Sequence, residues 1–348
     1  MSLSTDLRLF TRLASPFGAH TWEARDGHLY LTSHVTTDWV SLMVPVDGLT
    51  PFEETPLDLA ALKAALKGVK ARDVLGFEPH AVTVNGLSIP LPLASKEGPH
   101  ETPVADPLVS LSLDPFRALL RAAKACCKAA KTRPGIENLC FQQEGYGETT
   151  DGHRLYQSGP LTTGPFDESF LFPGWLVPSL DLAASKAEGV SIREGKEAVR
   201  FSFRFKGGAS AVLQARKVDS VSWPQTGEVI RQALEGVKVE VNGASASILP
   251  LLGAIKGRVG KKEAMRLTLQ PEGGLSFEGG EVKGDVFAVV DGLDEPRGYG
   301  FNPAYLEFAL KGYGPSFEMG LGRTLEPAVL RDLASPGFWI VMPMRLDD

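Results

Sequence analysis

Cysteine is scarce in this chain: three in 348 residues, with no Cys-x-x-Cys pair among them. Cys126 and Cys127 are adjacent and Cys140 stands alone, so neither a zinc site nor a disulfide framework is encoded. Long apolar runs are missing as well. The best, Ile248 to Ile255, is broken by Pro250 and Gly253 and falls far short of the ~18 residues that span a membrane. The first residues lack the charged-then-apolar pattern of a secretory signal, so the expectation is a cytoplasmic protein with no membrane partner. Histidine is also sparse, with six residues at 20, 28, 34, 80, 100 and 153. No metal-spaced His pair, serine elbow, paired-carboxylate motif or phosphate loop accompanies them, and no catalytic residue, metal or cofactor is expected. Nor is there an excess of positive charge: the net charge is −6. Taken whole, that sum argues against a nucleic-acid binder, whose domains are usually basic.

What the chain does contain is strand periodicity. Short runs near Leu29, Val40, Val82, Val199 to Phe205 and Leu267 alternate apolar with polar residues, the period of half-buried strands. Asp26-Gly27 and Gly273-Gly274 supply turns. Six helices are expected between the strands: Asp6 to Ala14, Leu59 to Lys70 capped by Asp58, a long one from Asp114 to Arg133, Trp175 to Lys186, Ser247 to Val259, and one entered through Asn302 and Pro303. Their recurrence suggests repeated units of one helix plus a small antiparallel sheet, an α+β architecture of two or three domains.

The charge distribution says more than its sum. Arg117, Arg121, Lys124, Lys128 and Lys131 follow one another at steps of 4, 3, 4 and 3, so all five share one helix face. Lys63, Lys67 and Lys70 repeat the pattern, and Lys256, Arg258, Lys261 and Lys262 form a third cluster. Such stripes are often plain solvated faces, but those usually interleave acids with bases. These contain almost none, in an acidic protein, and a polyanion would offset their mutual repulsion. No aromatic residue interleaves with them, which favours duplex contact over stacking on single-stranded bases.

Two segments carry a resemblance. The first is Thr150-Asp151-Gly152-His153-Arg154-Leu155, preceded by Ile136 to Phe141; the second is Trp339 to Leu346, which contains Val341-Met342-Pro343-Met344-Arg345-Leu346. Both are similar to signature segments of the bacterial DNA polymerase III beta subunit, the beta sliding clamp. Residues 26–33, 218–224 and 299–310 resemble that family more weakly, in the right order. The resemblance implies a DNA-clamp fold of three similar domains, near 1–105, 106–225 and 226–348, each of two helix-plus-antiparallel-sheet units. It also implies a non-enzymatic processivity factor that closes as a homodimeric ring around double-stranded DNA. DNA polymerase, the clamp loader and repair proteins would bind it through short linear motifs.

In that reading the peptide pocket takes Ile136, Thr150, Gly152, His153, Arg154, Leu155, Pro224, Val229, Val341, Met342, Pro343, Met344, Arg345 and Leu346. Thr150, His153, Arg154 and Arg345 are expected at its polar rim. Lys63, Lys67, Arg117, Arg121, Lys124, Lys128 and Arg133 are expected to face DNA, and Leu87 and Ile89 to lie at the dimer edge. The chain also departs from the family. The segment ahead of Leu29 is short, which is expected to remove a strand and a loop. Glu228 stands where the family commonly has arginine, and Asp347 and Asp348 extend past the usual terminal leucine. Two rivals stay open: a monomeric clamp-fold protein acting as a peptide-binding decoy, and a hydrolase built on Asp151 and His153.

Overall fold

The computed structural model describes residues 2–91, 109–130, 133–260, 263–332 and 335–346; Lys131, Lys261, Lys262, Asp347 and Asp348 lie outside that set. Among the described residues there are seven α-helices: α1 (Leu3–Leu13), α2 (Leu59–Ala65), α3 (Leu113–Ala129), α4 (Val177–Lys186), α5 (Thr226–Gly236), α6 (Ser245–Lys256) and α7 (Pro303–Lys311). Six match the expected helices within a few residues, and α5 was not foreseen. Helix α2 stops at Ala65 rather than Lys70. Gly68 takes the left-handed conformation at φ 85°, and Arg8 donates to the carbonyls of Leu66 and Val69, closing the helix end from outside. No described helix is long and apolar enough to cross a membrane.

The chain divides into two compact units. The first holds Met1–Leu120, Phe141–Gly145 and Thr162–Ser220; the second holds Arg121–Cys140, Tyr146–Leu161 and Val221–Asp348. The first is built on an eight-stranded sheet in the order Phe52–Pro56, Ala19–Arg25, His28–Val35, Asp38–Pro45, Ser210–Arg216, Ala198–Phe205, Ala187–Glu194, Val109–Leu111. Asp26 and Gly27 both take positive φ (51° and 71°), and Arg25 pairs directly with His28. This is the two-residue hairpin that Asp-Gly favours. The strand expected to be missing ahead of Leu29 is in place: Ala19–Arg25 follows α1 and pairs on both sides. Under this sheet Phe116 stacks on Phe201 at 5.7 Å and Phe141 on Phe170 at 4.9 Å, with Phe172 edge-on to Phe201. A three-stranded sheet of Leu75–Glu78, Ala81–Val84 and Leu87–Pro90 completes the unit.

The second unit holds the strand run Gly147–Thr150, Arg154–Gln157, Ser335–Val341, Ala328–Asp332, Ser316–Leu321, Val239–Ala244, Val289–Asp291. A separate four-stranded sheet orders Val282–Val286, Leu275–Gly279, Met265–Leu269 and Arg297–Phe301. Helices α6 and α7 pack together, and their charges are used internally. Lys256 and Lys311 both reach the buried Glu307 at 2.6 Å. Burial opposes ionisation of that carboxyl, but the two lysines outweigh it and hold its pKa below the ordinary value. Lys256 is therefore a structural cation rather than part of a free basic patch.

One buried acid lacks such help. Asp6, in the first turn of α1, is 4% exposed and its Oδ1 has no hydrogen-bond partner. Burial raises its pKa above 3.8. A raised folded-state pKa contributes stability that is complete below the unfolded value and lost as pH rises through the folded one. Asp6→Asn is expected to raise the unfolding midpoint at pH 7, with the gain shrinking as the pH falls toward 4. Thermal unfolding followed by circular dichroism across that range checks it; a variant no more stable than the parent at pH 7 contradicts it.

Candidate functional site

The Thr150 to Leu155 segment is a hairpin whose turn is organised by one carboxylate. Thr150 pairs with Leu155 across the strands, and Gly152 takes φ +87°, where a side chain would be strained. Asp151 Oδ1 accepts from the backbone amides of His153 (3.0 Å) and Arg154 (3.1 Å), while Oδ2 accepts from Arg154 Nε at 3.0 Å. Thr150 Oγ1 donates to the Arg154 carbonyl at 2.7 Å and receives the Gly152 amide at 3.0 Å. Both Thr150 and Arg154 are buried, so neither supplies the polar rim expected of it. They build the turn from behind.

The Arg154 guanidinium lies against the rings of Phe308 (4.7 Å), Tyr305 (4.8 Å) and Trp339 (5.7 Å). Its charge is balanced by Asp151 and its planar face is filled by aromatic rings. His153 stays exposed, its ring stacked on Tyr305 with centroids 6.0 Å apart. The Tyr305 hydroxyl is pushed up in pKa by burial first and by the Asp151 carboxylate second. Arg133 lies beyond the end of α3 and donates to the Asp151 carbonyl at 3.1 Å; a β-carbon on Gly152 would collide with its Nη1. It braces this turn. The half-buried Ile136 is also close to Gly152.

A second carboxylate fixes the opposite wall. Glu148, 1% exposed, accepts from the Trp223 indole N–H at 2.9 Å and the Thr226 hydroxyl at 2.6 Å through Oε2, and from the Gln157 amide at 2.9 Å through Oε1. This pins the first residue of α5 and the segment carrying Pro224 to the strand. From α5, Ile230 and Ala233 then pack with Leu155, Val329 and Ile340, flanked by Leu234, Val237 and Phe338. Leu155 is paired with Ile340 and Arg154 with Val341. Because side chains alternate across a strand, Leu155 and Ile340 face α5 whereas Val341 lies on the other face. Val341 is buried there, on the face away from α5. A hydrophobic spacing of Ile230, Ala233, Leu234 and Val237 was available to reveal α5, but Pro224 and Gly227 beside it read as a loop.

Beyond Val341 the chain leaves the strand. The Met342 amide donates to the His153 carbonyl at 2.9 Å, and the Met344 amide to the Gly300 carbonyl at 2.8 Å. Leu346 lies over Gly300, where a β-carbon would approach its side chain to 3.1 Å. Gly152, His153, Pro224, Val229, Met342 and Arg345 are exposed, and Ile136, Pro343, Met344 and Leu346 are half-buried. Val229 (40%) and Met342 (39%) are two of the few large apolar side chains open to solvent. Val229 on α5 and Met342 just past the Ser335–Val341 strand are thus left open to solvent on elements that Glu148 and the Asp151 turn hold.

The expected DNA-facing residues separate into two groups. Lys63, Lys67, Arg121, Lys124 and Lys128 are exposed, although Lys67 stands past the end of α2. Arg117 is different: its Nε and Nη2 donate to the carbonyls of Ala184 (3.0 Å) and Ala187 (2.8 Å), at the end of α4. It and Arg133 are committed to carbonyls, because an arginine on a helix face has donors enough to cap a neighbouring segment. Leu87 is 71% exposed and Ile89 half-buried on Leu87–Pro90, an edge strand of its sheet.

The arrangement is not that of a hydrolase. Asp151 uses both oxygens on backbone amides and on Arg154, and does not orient the His153 ring. Burial pushes the Cys127 thiol up to about 11 and the Cys126 thiol higher still, the opposite of an activated nucleophile. Among the described residues no group of three metal-ligating side chains gathers. What the site offers is a surface for an apolar ligand with a few polar anchors. Glu148→Ala removes the acceptor for three donors and is expected to cost about 1–3 kcal/mol of stability. Hydrogen exchange should show the α5 amides losing protection before those of the eight-stranded sheet; unchanged protection in α5 would remove Glu148 as its anchor.

No protein-family model matches the chain, and no curated protein matches it in sequence. Its three-dimensional relatives are more informative. The DNA polymerase III beta subunit of Pseudomonas aeruginosa matches it with a TM-score of 0.80 at 18% identity, over 99% of this chain and 98% of that one. The beta subunit of Thermotoga maritima gives 0.77 at 18% identity, over 99% and 98%. The sliding clamp of Bartonella birtlesii bound to griselimycin, also a DNA polymerase III beta subunit, gives 0.80 at 18% identity, over 99% and 97%. With full-length agreement at so low an identity, the architecture is established and the sequence has drifted far: the chain has the fold of the DNA polymerase III beta subunit, the sliding clamp.

Proposed function

We propose that this chain is a DNA sliding clamp, a non-catalytic processivity factor that encircles duplex DNA and tethers polymerase and repair proteins through the surface beside α5. The observation that carries the reading is the full-length match to clamps. The solvent-open apolar side chains Val229 and Met342 support it further. Two chains would close head to tail, each read as three similar domains near 1–105, 106–225 and 226–348, with the edge strand Leu87–Pro90 at the junction. An edge strand with Leu87 open to solvent is a pairing hazard that ring closure removes. Arg121, Lys124 and Lys128 of α3, with Lys63 and Lys67, supply the positive charge for sequence-independent phosphate contact.

The tethering surface suits linear peptides with leucine or phenylalanine anchors. Methionine re-packs easily, and a surface serving several partners benefits from that. Met342→Ala is expected to weaken a fluorescein-labelled peptide of this kind about 5- to 30-fold in an anisotropy titration, the range of a buried interface anchor. Equal binding by both proteins would move the site elsewhere.

Light scattering at micromolar concentration tests the ring. A dimer near twice 37.4 kDa supports it. A monomer persisting to high concentration would sink the autonomous clamp and leave the peptide-binding decoy. Arg121→Glu with Lys124→Glu should lower retention on nicked circular DNA and flatten the salt dependence, by roughly 0.9 in log–log slope for each phosphate no longer neutralised. Retention unchanged at every salt concentration would exclude α3 from the DNA path.

A further inference from the structure

The exposed face of α5 beside Val229 is charged, and its charges are paired with one another. Glu228 precedes the exposed Val229 in the first turn of α5, about 100° around the helix from it. Its carboxylate accepts from Arg231 Nη2 at 2.7 Å, from Arg231 Nε at 3.1 Å and from the Gln232 amide at 2.5 Å. The same guanidinium reaches Glu235 at 2.6 Å. Two carboxylates thus share one cation, and these three side chains together carry one net negative charge. The hydrogen bonds from Arg231 and Gln232 keep the Glu228 carboxyl ionised.

We propose that Glu228 is a specificity-determining residue of this surface, selecting linear peptides that place a lysine or arginine beside their apolar anchors, on the α5 side. The inference rests on the peptide-site reading above. A basic residue there would meet a preformed carboxylate beside Val229; an acidic one would meet like charge on a face that already carries an excess of it. The contact lies at the solvent-exposed edge, so it sorts partners rather than supplying the bulk of the affinity.

The test is a charge-swap cycle. Three labelled peptides share one pair of apolar anchors and carry Lys, Gln or Glu at the flanking position. Each is titrated by anisotropy against the full-length protein and against Glu228→Lys, in low and in moderate salt. The expected result is that the parent favours the Lys peptide over the Glu peptide by about 2- to 5-fold, the scale of an exposed ion pair. Added salt should shrink that preference and Glu228→Lys should reverse it, with the Gln peptide little changed. Equal affinities for the Lys and Glu peptides, or a preference that survives Glu228→Lys, overturns the proposal while leaving the peptide-site reading intact. If none of the three peptides binds the parent, the failure lies in the peptide-site reading itself. Circular dichroism of the variant separates a loss of fold from a loss of selectivity.

Discussion

Two carboxylates three residues apart, Glu148 and Asp151, hold the site together. Each is buried, and an isolated buried carboxylate costs several kcal/mol unless hydrogen bonds and opposite charge compensate it. Here each is compensated by three donors. Asp151 takes two amides of its own turn and the guanidinium of Arg154. Glu148 takes an indole, a hydroxyl and a carboxamide, two of them from residues 223 and 226, far along the chain. An ionised carboxylate is an acceptor only, so it acts as a hub on which donors from separate segments converge. One hub shapes the turn and the other docks the helix opposite it. Losing either would leave several groups unsatisfied at once.

Most side chains around the two hubs are enclosed. Arg154 is enclosed by aromatic rings, Leu155 and Ile340 are closed under α5, and Leu346 is seated over a glycine that leaves it room. The side chains left open are Val229, Met342 and the imidazole of His153. Of these the methionine is unbranched, with three rotatable bonds, and re-packs at small cost. Catalysis would ask the opposite of such a site: converging titratable groups with tuned protonation. The acids here are consumed in holding the turn and the start of α5, and the thiols are driven toward their neutral form by burial.

The helices and most strands were legible because they rest on local signals. Asp58 and Asn302 cap α2 and α7 through hydrogen bonds to Ala61 and Ala304, as their positions announce. Asp26-Gly27 makes the hairpin that its φ values demand. The site was legible only as two segments of a resemblance, and their roles were not. That Thr150 and Arg154 point inward depends on Tyr305, Phe308 and Trp339, which no local pattern brings to them. Which of Ile340 and Val341 faces α5 is a matter of strand phase set by the pairing with Leu155, and in a strand one residue exchanges the two faces. Helix α5 was hidden because its start is secured by Glu148, 78 residues earlier in the chain, and not by a cap of its own.

The same distinction between local pattern and tertiary use explains the basic residues. A stripe at helical spacing states which charges share a face, not which remain available. Arg117 is withdrawn to the carbonyls ending α4 and Arg133 to the turn at Asp151, whereas Arg121, Lys124 and Lys128 stay exposed on α3. Five donors in a planar fork let the Arg117 guanidinium cap two carbonyls at once. Arg117 ties α3 to the end of α4, and Arg133 ties the segment after α3 to the Asp151 turn, so each arginine joins stretches that the sequence keeps apart.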